Sequence, residues 1–274
     1  MNLTNLFRKL PDFPGAIEDS RPDIEKEKDY LFEEIVSSAA PVDWKEKTFD
    51  TIRKFSVRNQ KGSSSCVAQT VAKLVEVLLW LKEKTIVPFS ATPIYQRRAN
   101  KPGEGMWGQN AFEIARQGVT LEILVPSQLM SESQMNSYKI DPYEDEVGKV
   151  FKLANYVTLP VKDLETVAST IQKTGKAIAV GFYFTSKEWS QEVPTIISPS
   201  LDPSATATLR HWVSAVDFGI FKGKRGLFIE DSAHFGGKNR RFITEDFFKK
   251  RNTFVGYPIS FKFEEAPLPA HQFT

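Results

Sequence analysis

The single cysteine of this chain, Cys66, opens its longest stretch without Gly or Pro, CVAQTVAKLVEVLLWLKEK, from Cys66 to Lys84. A lone cysteine is most often a small buried hydrophobe. A thiol at a helix N-terminus, however, becomes a nucleophile when amide dipoles and a nearby imidazolium stabilise its thiolate. Such chemistry needs a base, and the chain has three histidines. His211 begins the apolar run HWVSAVDFGIF, His234 follows about twenty residues later, and His271 lies in the terminal LPAHQFT.

The elements that must position these groups divide into two halves. The stretch from Cys66 is apolar on most sides, which predicts a helix buried within a domain, with Ser63, Ser64 and Ser65 placed as caps would be. After Pro88, Pro93, Pro102, Gly103 and Gly105, the segment GQNAFEIARQG predicts a second helix ending on Gly118. From Val157 the texture changes. A helix over Lys162 to Lys173 is followed by AIAVGFYF, HWVSAVDFGIF, RGLFIED, RRFI and FVGYPISFKF, strands rich in β-branched and aromatic residues. ISPSLDPSATATL, from Ile197 to Leu209, reads as a surface loop. Residues 1 to 40 form a polar, proline-punctuated arm with a short helical candidate from Ile24 to Val36.

The bulk properties agree with one soluble globular domain. Of the 274 residues, 41% are hydrophobic, enough for a proper core. The formal charge is only +2 and no basic face stands out, which argues against a nucleic-acid partner. No run approaches the roughly 20 apolar residues of a membrane span, and the N-terminus has no signal-peptide pattern. One cysteine excludes an internal disulfide and fits a reducing compartment, so a cytoplasmic or virion-associated protein is expected. No cofactor or metal is implied.

The segment VRNQKGSSSCVAQTV, from Val57 to Val71, resembles the active-site segment of the papain-like (cathepsin-type) cysteine peptidases, in which a glutamine precedes the nucleophile by six residues. Gln60 and Cys66 keep that spacing. PVDWKEK, from Pro41, resembles the start of the mature domain, and HWVSAVDFGIF resembles the family's catalytic histidine strand. His211 lies 145 residues after Cys66 (66 to 211), within the range of roughly 130 to 150 for that family. GLFIEDSAHFGGKNRRFI resembles the segment carrying the family's asparagine, with Asp231 in its place. The chain is thus identified as similar to a diverged bacterial or phage-type member without disulfides.

The resemblance implies an α+β, two-lobed papain-like fold over residues 41–262, with a helical lobe over about 41–155 and a β-barrel-like lobe over about 156–262. It leaves an N-terminal leader or arm, residues 1–40, and a C-terminal tail, residues 263–274. It implies hydrolysis of peptide or isopeptide bonds, with Cys66 as nucleophile, His211 as base, Asp231 as orienter and Gln60 completing the oxyanion hole. His234 is the fallback base. PGEGMWGQNAF resembles the family's substrate-binding glycine segment, which makes Gly105, Met106 and Trp107 candidate substrate-binding residues.

Several positions depart from the family pattern. Ala233 replaces the tryptophan that shields the histidine and its partner, Val67 replaces an aromatic residue, and Trp212 replaces a small residue after the histidine. Trp212 is therefore a candidate for both the cover and the substrate wall. These departures also support another class of function, a papain-like structural or binding protein with little or no turnover. The arm is expected to pack on the domain or to join a larger assembly.

Overall fold

The computed structural model describes residues 15–17, 41–53, 55–190, 196–200, 206–234 and 239–263. His271 and the helical candidate from Ile24 to Val36 lie outside the described residues, as does part of the loop between Ile197 and Leu209.

The helices are α1 (Cys66–Glu83), α2 (Thr92–Gln96), α3 (Gly108–Gln117), α4 (Glu132–Ser137), α5 (Pro142–Val150), α6 (Leu164–Thr174), α7 (Ser186–Trp189) and α8 (Glu245–Arg251). The strands are β1 (Ala16–Ile17), β2 (Met106–Trp107), β3 (Phe151–Thr158), β4 (Ile178–Phe184), β5 (Ile196–Ile197), β6 (Leu209–Phe221), β7 (Lys224–Glu230), β8 (Arg240–Thr244) and β9 (Asn252–Phe263).

Helix α1 is buried from Cys66 to Leu79 on every side, as its apolar composition demands. It ends at Lys84, whose left-handed backbone turns its amide back to the Trp80 carbonyl. The serines before it behave differently from caps. Ser65 is the N-cap residue but its side chain accepts no capping bond; its hydroxyl instead lies 2.7 Å from the Ser63 hydroxyl. Helix α3 runs from Gly108 and stops at Gly118, as its sequence predicts.

The second half of the chain forms a seven-stranded sheet in the order β3-β9-β4-β6-β7-β8-β5. Its neighbours are antiparallel except β5 and β8, which run parallel. The sheet is not closed into a barrel, so "barrel-like" describes this lobe only loosely. Strands β6 and β7 form a hairpin whose two turn residues, Lys222 and Gly223, both have positive φ. That geometry matches the twist of antiparallel strands.

One buried cluster surrounds α1, α3 and the face of β6 bearing Trp212. Another fills the opposite side of the sheet beneath α6 and α8. A second, two-stranded sheet joins β1 to β2 in parallel, pairing Ala16 with Met106 and Ile17 with Trp107. This small sheet brings three residues of the N-terminal arm onto the domain.

Candidate active site

The site lies where the start of α1 meets the sheet. Cys66 is the first residue of α1 and is fully buried. His211 lies near the start of β6, and Asp231 directly follows β7. Because β6 and β7 form a hairpin, the end of one runs beside the start of the other. His211 Nε2 lies 2.8 Å from Asp231 Oδ1, and neither residue is exposed. The Cys66 sulfur also acts electrostatically on the imidazole. With Nε2 engaged by Asp231, Nδ1 is the nitrogen left for that side.

Charge in this group is set by competing effects. Burial opposes a proton charge on His211, but the charges of Asp231 and Cys66 and their hydrogen bonds outweigh it, raising its pKa to about 10. Burial likewise opposes ionisation of Asp231. His211, Arg241 and the Ala233 amide reverse that penalty and hold its carboxyl down to about 2. A buried cation and a buried anion thus stabilise one another, a tightly coupled pair.

Two partners of Asp231 escape sequence reading. Trp189, at the end of α7, donates its indole N–H to Asp231 Oδ2 at 3.1 Å and sets its ring edge-on to His211 at 5.4 Å. Arg241, in β8, places Nη1 3.5 Å from the same oxygen and its guanidinium 4.8 Å above the Trp189 ring. It also donates to the Trp189 carbonyl. Trp189 therefore covers the His211–Asp231 pair, while Ala233 stands at the position where the local pattern has a tryptophan. The sequence signal is only a tryptophan shortly after a predicted strand, which does not specify a partner 42 residues away.

Trp212 is not that shield. Adjacent strand residues face opposite sides, and Trp212 packs away from Asp231, stacked on Phe254 at 4.2 Å. His234 stands apart from the carboxylate, with Nδ1 3.4 Å from Asn59 Nδ2.

Gln60 is buried and immobilised in the loop that leads into α1. Its Nε2–H donates to the Ser63 carbonyl at 2.6 Å, its Oε1 accepts from Ser232 Oγ at 2.7 Å, and its backbone amide donates to the Ser232 carbonyl at 2.9 Å. A side-chain amide has two N–H donors, so one remains for another acceptor. Ser232, adjacent to Asp231, thereby ties the glutamine loop to the histidine partner.

Buried charges pair along α1 and beside it, and one of them reaches the end of β7. Lys73 bonds Glu76 at 2.9 Å and lies 3.6 Å from Glu230, while Arg58 bonds Glu122 at 2.9 Å. Burial raises the Glu230 pKa against the opposing pull of Lys73.

On the opposite wall of the cleft, Gly105 has φ of +72°, and its amide donates to Tyr95 Oη at 3.1 Å. Met106 is buried and Trp107 is half-buried. The Met106 amide donates to the Gly15 carbonyl at 3.1 Å. Gly15 lies directly on the sulfur: a methyl group there would sit 2.4 Å from Cys66 Sγ. Residues 15–17 therefore run over Cys66 and along β2. Among the described residues, no cluster of side chains could hold a metal ion, and no helix is long and apolar enough to cross a membrane.

Residues 38–238 match the family described as papain family cysteine protease, well over half of the chain. The chain belongs to that family. Its fold is similar to that of xylellain, a cysteine protease from Xylella fastidiosa, with 17% identity and a TM-score of 0.72 over 96% of this chain and 100% of that one. It is also similar to digestive procathepsin L 3 of the Tenebrio molitor larval midgut, with 19% identity and a TM-score of 0.60 over 81% of this chain and 72% of that one. The bromelain protease from Ananas comosus, solved with the E64 inhibitor, shares 17% identity and a TM-score of 0.58 over 77% of this chain and 95% of that one. These likenesses are of fold alone. No curated protein matches the chain. Membership in the papain family makes it a cysteine peptidase that acts on peptide or protein substrates.

Proposed function

We propose that Cys66, His211 and Asp231 form the catalytic triad, with Gln60 and the Cys66 backbone N–H as the oxyanion hole. The observation that carries this reading is the buried contact between His211 and Asp231, on an imidazole whose charge the Cys66 sulfur also favours. In this mechanism Cys66 Sγ attacks the scissile carbonyl and the oxyanion takes hydrogen bonds from Gln60 Nε2–H and the Cys66 amide. His211 gives its proton to the leaving amine. Water, deprotonated by the same imidazole, then cleaves the thioester, releasing the acid and restoring the thiol. Asp231 holds the ring and stabilises its charged form, while Trp189 and Arg241 hold Asp231. The same chemistry applies to peptide and isopeptide bonds.

The form described here is latent, because β1 occupies the cleft and Gly15 covers the sulfur. That cover also suits a papain-like scaffold that turns nothing over. A thiol-directed epoxide separates the readings. Covalent labelling of Cys66 after displacement of β1, together with peptide cleavage abolished by Cys66→Ser, is the expected result. A sulfur that stays unlabelled until the protein unfolds would overturn the peptidase reading.

A further inference from the structure

The indole of Trp212 fills space at the start of α3, which directly follows β2. Trp212 pairs across the sheet with Gly181, and its indole lies where a side chain at that glycine would stand: a methyl group on Gly181 would come within 2.4 Å of Trp212 Nε1. A methyl group on Gly108 would meet the same indole at 2.0 Å. Phe254 backs the ring at 4.2 Å. Two glycines and one aromatic partner thus give the indole a seat between the sheet and the start of α3.

The peptide segment in the cleft conforms to this filling. Ala16 pairs with Met106, is 4% exposed, and belongs to the same buried cluster as Met106, Ala111, Phe112 and Trp212. Its neighbour Gly15 has no room for any side chain against Cys66 Sγ.

We propose that Trp212 closes the side-chain pocket beside Met106, so that the cleft accepts only glycine or alanine at the peptide position paired with Met106. The consequence is a substrate class: peptides or protein tails with a small residue at that position, rather than a large aliphatic or aromatic one. That consequence rests on the peptidase reading. The seat for residue 16 does not, since it concerns only which side chain the cleft can hold.

The test uses the full chain and the rate at which iodoacetamide alkylates Cys66 under native conditions. A leucine forced into a filled seat displaces the segment, so Ala16→Leu should alkylate about tenfold faster or more, while Ala16→Ser stays close to the parent. Adding Trp212→Leu to Ala16→Leu should restore slow labelling by making room. Equal or slower labelling of Ala16→Leu would overturn the proposal, and this outcome needs no change to the fold. In the Ala16→Leu chain, fluorogenic peptides varied at this one position should favour Gly or Ala over Leu or Phe by about tenfold or more. A preference for Leu or Phe would also overturn it. Fast labelling without cleavage of any peptide would instead sink the peptidase reading and leave the small-residue seat standing.

Discussion

Replacing Asp231 with asparagine tests the electrostatic design of the site. In the folded protein His211 is raised from 6.5 to about 10 although burial pushes the other way. Each pH unit corresponds to about 1.4 kcal/mol, so the neighbouring charges and hydrogen bonds supply on the order of 5 kcal/mol beyond the burial penalty. Asp231 provides the largest part of that. The Asp231→Asn variant would keep a hydrogen-bond acceptor but lose the charge, leaving Cys66 alone to oppose burial, so His211 should titrate lower than in the parent. Each unit by which His211 falls removes about 1.4 kcal/mol of the ion pair, and once its pKa passes below the assay pH the charged pair is depleted about tenfold per further unit. The assay is an NMR titration of His211, identified by its loss in His211→Gln, alongside the pH profile of Cys66 alkylation. The titration should move to lower pH, and the share of Cys66 alkylation that depends on the charged pair should fall with it. Because Arg241 would be left as an unpaired buried cation, Asp231→Asn is paired with Asp231→Asn/Arg241→Met, which removes that penalty. A His211 that still titrates near 10 in both variants would refute the assignment of its proton affinity to Asp231.

Arg241→Met alone should push His211 further toward alkaline pH, because a cation that competes for Asp231 is gone, and the same titration reads it. Trp189→Phe removes the N–H donated to Asp231 while keeping a ring over His211; it should lower peptide turnover more than substrate affinity, seen as a fall in kcat at nearly constant KM. Gln60→Ala should cost about 10²–10³ in kcat through the lost oxyanion donor, and because the same amide holds Ser63 and Ser232, Cys66 alkylation measured alongside reports any shift of that loop. Stability should depend on pH at both ends. His211, raised in the fold, contributes stability that is present below 6.5 and lost as pH rises through about 10. Asp231, depressed in the fold, contributes stability present above 3.8 and lost as pH falls through about 2. Thermal melts across pH should therefore decline on both flanks, and a flat alkaline flank would contradict the His211 part.

The sequence reveals this site wherever chemistry ties residues to local spacing. Gln60 and Cys66 share one loop and helix start, and His211 and Asp231 share one hairpin, so motif and order are enough to bring them forward. Helix α1 and the end of α3 at Gly118 are legible because burial and glycine leave plain marks. Trp189 and Arg241 are not, because α7 and β8 reach Asp231 only through the sheet order. Helix α8 falls between the predicted strands RRFI and FVGYPISFKF, and Thr244 before two acidic residues, with Lys249, Lys250 and Arg251 at the end, carries the charge pattern of a short helix. The capping boxes at Ser131, Asp141 and Thr185 mark three more helices by the same local rule.

Trp212 shows how a departure from pattern can be understood only in pairs. Considered alone, a tryptophan after the histidine and an alanine where the shield belongs suggest one indole taking over from the other. Strand alternation forbids this, since the side chain after His211 must face the other side of the sheet. The two departures are instead separate substitutions with separate compensations. Loss of the shield at Ala233 is offset by Trp189, which reaches Asp231 from α7 with Arg241 stacked on its ring. The gain of bulk at Trp212 is offset by Gly108 and Gly181, where any side chain would collide with the indole. One pair of changes surrounds His211 and Asp231, the residues of the proposed triad, and the other fills space at the start of α3 beside Met106. This separation predicts that variants at Trp189 alter turnover and its pH dependence, whereas variants at Trp212 alter which residue fits beside Met106.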